Sequence, residues 1–165
     1  MFSRFLHQGT YIIGLSGGRG TINYSFRVER AATPNGEDAE RNDTSASAVP
    51  FPVNATMGGT VGGAFADGSR DLQDFFAVNI PSPGTATFNI VSDLAPVRFT
   101  VIYSEVRVVR GSQQVTAHNP LQDRFARAVN VEFATAGTYF LRIEARSHAG
   151  QHPHWTPYQI TMTSR

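Results

Sequence analysis

"TATFNIVS", residues 85–92, alternates with a two-residue period, so that Phe88 and Ile90 fall on one face while Thr87 and Asn89 fall on the other. In an extended backbone successive side chains point to opposite sides, and such a segment buries one face and wets the other. The same signature recurs along the chain. "VRFTVIYSEVRVVR" (97–110), "AVNVEFA" (128–134), "TYFLRIEAR" (138–146) and "PYQITMT" (157–163) read as strands after it. "TYIIGLS" (10–16), "TINYSFRVE" (21–29) and "DFFAVNI" (74–80) do so before it. No stretch keeps a helical period. Many short strands separated by turn signals predict an all-β protein, an antiparallel β-sandwich of jelly-roll-like type.

Composition agrees and narrows the function classes. The 165 residues suffice for one domain with a real core plus an appendage, and are too few for two ordinary domains. A formal net charge of +1 gives no reason to invoke nucleic acid or an anionic membrane. All 14 basic residues are arginine, which fits a GC-rich coding sequence and also suits carboxylate pairing. Cysteine is absent, so any staple must be something other than a disulfide. The opening "MFSRFLHQGTYIIGL" lacks the apolar core and small-residue cleavage site of a signal peptide, and no segment is long enough to span a bilayer. An exported protein with this sequence has already lost its signal or is a piece of something longer.

An internal echo organises the chain. "GTYIIGLSGGRGTINYSFRVE" (9–29) matches the plan of "GTYFLRIEARSHAGQHPHWTPYQITMT" (137–163): Gly-Thr-Tyr, a strand, a turn-rich loop, then a strand carrying a tyrosine, Tyr24 or Tyr158. Residues 1–30 therefore read as a hairpin like the tail of a preceding repeat, 31–45 as a linker carrying acids, and 46–165 as the sandwich. A two-stranded hairpin does not stand alone in water and has to pack on something. Composition alone extends the polar, proline-punctuated character of the linker to residue 58, as a surface excursion.

Acids are unevenly placed. "EDAERND" (37–43) and "DGSRDLQDFFAV" (67–78) hold Glu37, Asp38, Glu40, Asp43, Asp67, Asp71 and Asp74. In the first cluster Asp38, Glu40 and Asn42 alternate, which in an extended chain turns their oxygens to one side. Calcium takes six to eight oxygen ligands in an adaptable shell, and two acidic clusters brought together by the fold would supply one. The plainer alternative is a solvated linker and a surface turn.

The order "ERNDT" (40–44), a glycine-containing strand, "DLQDFFAV" (71–78), "AGTYFLRI" (136–143) and "PYQITM" (157–162) resembles the bacterial pre-peptidase C-terminal domain, a β-sandwich related to collagenase collagen-binding domains. The resemblance spans roughly residues 37–163 by pattern rather than close identity. It implies calcium ligands at Asp38, Glu40, Asn42 and Asp43 from the linker and at Asp71 and Asp74 before the strand, with Asp67 a weaker addition. The family commonly has proline where Arg41 stands, a change without consequence for ligation, and often an acid where this chain has Leu72, so Asp71 supplies that oxygen from one position further back. Five carboxylates among six ligands exceed the charge of one divalent ion. Either two calcium ions bind, or one binds and Arg41 and Arg70 balance the rest.

The remaining candidates are weaker. His148, His152 and His154 lie in a hairpin loop, where histidines are more often simply exposed than zinc ligands. "GGRG" (17–20) lacks the helix a phosphate loop needs. Trp155 and Tyr103 are candidate partner-binding aromatics, or else core. No nucleophile elbow, zinc-protease helix or cysteine nucleophile is present, so the chain reads as a non-enzyme. The resulting expectation is a secreted or cell-surface, calcium-stabilised accessory module whose partner is an extracellular protein or polysaccharide. The alternative is a self-assembling subunit, the N-terminal hairpin adding to the sheet edge of a neighbouring copy.

Overall fold

A computed structural model describes residues 41–63, 68–93, 95–103, 107–109, 114–119, 124–146 and 156–164. They form a single 3-10 turn (Ser45–Ser47) and the strands β1 (Val49–Pro50), β2 (Thr56–Val61), β3 (Gln73–Ile80), β4 (Gly84–Asp93), β5 (Val97–Tyr103), β6 (Arg107–Val108), β7 (Gln114–Val115), β8 (Ala117–Asn119), β9 (Arg124–Phe133), β10 (Gly137–Ala145) and β11 (Thr156–Ser164). Two sheets pack face to face. One runs β1-β3-β10-β5-β6, with β7 also paired to β5, and the other runs β2-β11-β4-β9-β8. The long strands change sheet at each step from β2 to β5 and again from β9 to β11, so the fold is the expected all-β sandwich. Every pairing is antiparallel except β1 with β3, which is parallel.

Two-residue alternation builds the core. In β4 Ala86, Phe88, Ile90 and Ser92 are buried while Asn89 is exposed. Phe76, Val78, Val101, Leu141, Ile143, Ile160 and Met162 enter the same interior from their own strands. Aromatic edges and faces fill its middle: the Phe88 ring lies 5.1 Å from that of Phe99 and 6.4 Å from that of Phe133. The turn between β9 and β10 is clamped by Tyr139, whose hydroxyl donates to Thr135 O at 2.8 Å and whose ring meets Phe133 edge-on at 4.6 Å. Gly137 starts β10 at φ +148, where a Cβ would stand 3.3 Å from Cε2 of Tyr103. Glycine alone suits that conformation and that gap.

Two sequence readings change. The run 97–110 is not one strand: β5 ends at Tyr103 and β6 folds back on it, pairing Ile102 with Val108. No glycine or proline marks that reversal, so periodicity runs straight through it. The polar stretch also stops being an excursion well before residue 58. Thr44 and Ser47 form a capping box around the 3-10 turn, β1 pairs with β3, and β2 pairs with β11. β2 is the glycine-containing strand that the family resemblance implies. Gly58 and Gly59 are buried opposite Gln159 and Tyr158, and having no side chains they leave no apolar pattern to read.

Candidate functional site

The start of β3 is where several backbone connections meet. After β2 the chain turns at Gly62, φ +86, and is clipped to the approach to β3 in both directions. The Gly62 N–H donates to Asp71 O, and the Asp71 N–H donates to Gly63 O at 3.2 Å. Asp71 is thereby held 1% exposed beside the edge of the second sheet. From the other side, Asn42 runs along β3. Its carbonyl accepts from the Phe75 N–H at 2.9 Å, and its Nδ2 donates to Phe75 O at 3.4 Å. One residue on, Asp43 O accepts from Gln73 Nε2 at 2.8 Å. Asn42, Asp43, Asp71 and Asp74 are thus gathered around the first residues of one strand, although more than twenty residues separate the two pairs in sequence.

Arg41 sets the approach of this segment with φ +73, the left-handed region. Proline, whose ring locks φ near −65°, does not reach that conformation. Proline at this position would require a different backbone path.

Asp74 is fully buried, and its Oδ2 accepts from the Tyr158 hydroxyl at 2.6 Å. Tyr158 belongs to β11 of the opposite sheet, so this bond spans the sandwich. Its ring is fixed edge-on against Phe76 at 6.4 Å, and Phe76 in turn against Phe51 at 5.8 Å. A hydroxyl donor favours the ionised carboxylate, which burial alone disfavours. Sequence reading placed Tyr158 in a strand without giving it a role. The signal is the alternation of "PYQITMT", which puts Tyr158 on the core face with Ile160 and Met162, where a phenol needs a polar partner.

Asn42 is the odd member. It is 1% exposed, and its Oδ1 accepts no hydrogen bond among the described residues. Leaving a buried acceptor unsatisfied costs about 1–3 kcal/mol. The side chains that the sequence reading gathers here, Asn42, Asp43, Asp71 and Asp74, carry oxygen donors, a type that suits a hard cation rather than a soft one. Among the described residues no three His, Cys, Asp or Glu side chains form a ready-made metal centre on their own.

Other predicted sites fall as follows. Asp38, Glu40 and Asp67 lie outside the described residues, as do Trp155, His148, His152, His154 and the glycine turn at 17–20. Tyr103 is half-buried, with its ring 4.7 Å from that of Tyr139 and its edge beneath Gly137. No helix among the described residues is long and apolar enough to cross a membrane.

No family model matches the sequence, and no curated protein matches it. Among solved structures the fold is similar to the pre-peptidase C-terminal domain of collagenase from Bacillus anthracis, with a TM-score of 0.50 and 13% identity over 76% of this chain and 100% of that one. The likeness is one of fold.

Proposed function

We propose that this chain is a non-catalytic, calcium-binding β-sandwich module serving as an accessory or binding domain of an extracellular protein. The single observation behind the reading is Asn42, a buried amide whose Oδ1 has no hydrogen bond within the described structure and whose backbone is bonded to Phe75, next in sequence to the buried Asp74. Asn42, Asp43, Asp71 and Asp74 would hold the ion, joined by Asp38 and Glu40 from the segment that leads in. Calcium supplies positive charge and a multivalent oxygen-binding centre, which offset the burial of carboxylates and tie chain segments together.

The chain's own residues do the rest. Gly62 and Gly63 hold Asp71 in place through the backbone, Phe75 holds Asn42, and Tyr158 orients Asp74 from the opposite sheet. In a protein without cysteine such an ion takes the part of a disulfide, stabilising the folded state by binding it and not the unfolded chain. The fold neighbour is a C-terminal domain of a collagenase, which supports an accessory rather than a catalytic role. Thermal melting in calcium and in chelator tests the reading directly. Calcium should raise the melting temperature, and Asp71→Ala should reproduce the effect of chelation. A melting temperature indifferent to calcium would remove the proposal.

A further inference from the structure

One edge of the five-stranded sheet is open over most of its length. β9 pairs with β4 along its whole span, from Phe133 opposite Gly84 to Arg124 opposite Asp93, in one unbroken register. On its other side β8 covers only Arg124, Phe125 and Ala126. From Arg127 to Phe133 no described strand pairs with that side. Successive residues of a strand turn their N–H and C=O groups to alternate sides, so every second residue of this stretch presents both groups at the open edge. Arg127, Ala128, Asn130 and Glu132 are exposed, so the strand is reachable from solvent. The border of the other sheet is different: β3 is covered by β1 at Phe76 and Ala77 and by the Asn42 backbone at Phe75.

Soluble proteins guard an open edge with proline, lysine, a bulge, a very short strand or an inward-facing charge. Residues 127–133 contain no proline or lysine, and their register with β4 has no bulge. Arg127 shares the core-side parity of Val129 and Val131, so it guards the edge only where β8 ends. The rest is a regular template for another strand.

That template is complementary to itself. Antiparallel neighbours oppose residues of the same face, and a two-fold pairing that uses the whole stretch 127–133 is centred on Asn130. Asn130 then meets its own counterpart, Ala128 meets Glu132 and Val129 meets Val131, so both faces continue across the junction and no like charges are opposed. Arg127 and Glu132 lie toward opposite ends of the stretch, so reversing one copy against another brings unlike charges together at each end.

We propose that β9 is an association edge through which two copies of this chain join their five-stranded sheets, residues 127–133 pairing antiparallel about a two-fold axis at Asn130. The contact is about 20 Å of strand and uses the same edge of both copies, so it closes as a dimer. The inference is independent of calcium.

Sedimentation velocity of the full chain tests it. The sedimentation coefficient should rise from that of a monomer to that of a dimer over a hundredfold concentration range reaching about 500 μM, as suits a small interface. Over the same range hydrogen exchange in the peptide spanning 127–133 should slow at least threefold, with β3 unchanged. Asn130→Lys and Asn130→Glu, at an exposed position, each set like charges against one another at the axis and should each remain monomeric. An equimolar mixture of the two should dimerise again, because unlike charges then meet. That rescue requires both variants to be folded, which separates a lost contact from a lost structure. If either variant misfolds, the concentration dependence of exchange in the unmodified chain decides alone. A chain that stays monomeric throughout overturns the proposal, as does exchange at 127–133 unmoved by concentration. A dimer that both variants leave intact, or folded variants that mixing does not rescue, overturns it as well.

Discussion

Replacing Asn42 with alanine should act in opposite directions with and without calcium, and the size of each effect follows from its contacts. In ion-free protein the amide contributes one long hydrogen bond, Nδ2 to Phe75 O at 3.4 Å, worth about 0.5 kcal/mol. Its buried Oδ1 meanwhile costs about 1–3 kcal/mol. Truncation gives back about 1 kcal/mol in lost packing. The backbone bond between Asn42 O and the Phe75 N–H is untouched. Asn42→Ala in chelator should therefore be neutral to about 1 kcal/mol more stable than the parent. With calcium at a hundred times its dissociation constant the parent gains about 2.7 kcal/mol, and a tenfold weaker site gains about 1.4 kcal/mol at the same concentration. At roughly 3 °C per kcal/mol for a domain of this size, the calcium-induced rise in Tm falls from about 8 °C to about 4 °C. Differential scanning calorimetry of both proteins, in calcium and in chelator, measures all four values. An equal loss of Tm in both conditions would show that Asn42 serves only packing, and would refute the reasoning.

Other perturbations probe the frame around the site. Tyr158→Phe removes the donor to the buried Asp74 carboxylate and should cost about 1.5–3 kcal/mol in urea unfolding under chelator; no change would mean that the bond carries nothing. Arg41→Pro should weaken calcium binding measured by titration calorimetry, because φ +73 is closed to proline; an unchanged affinity would contradict the geometry. Gly137→Ala should lose about 1–3 kcal/mol of stability, since alanine is strained at φ +148 and its Cβ crowds Tyr103; a Tm within 1 °C of the parent would contradict the geometry. Phe88→Ala, at the centre of the core, should lose about 3–5 kcal/mol, a large part of a typical domain's stability, as read by chemical denaturation.

Strand content, sheet alternation and the sandwich class were legible because a half-buried strand writes its environment into a two-residue period. Phe88 and Ile90 against Thr87 and Asn89 need no tertiary information to be sorted. The acidic segments were equally visible, because carboxylates brought together need a physical reason. What the pattern does not carry is whatever depends on pairing between distant segments. β2 is hidden because Gly58 and Gly59 have no side chains, and the fold-back of β6 because no turn residue announces it.

By itself, then, the sequence determined the class of fold, the face each long strand presents and the oxygen chemistry available at two places along the chain. These are local properties, dictated by residue type and backbone geometry. Tertiary structure alone decided that Asn42 runs beside Phe75, that Asp71 is clipped to Gly62 and Gly63, and that Tyr158 reaches Asp74 across the sandwich. Each of those contacts joins residues from separate strands or segments. Which of the many possible partners meet is set by packing two twisted sheets around one core, a constraint on the whole chain that no window of sequence contains.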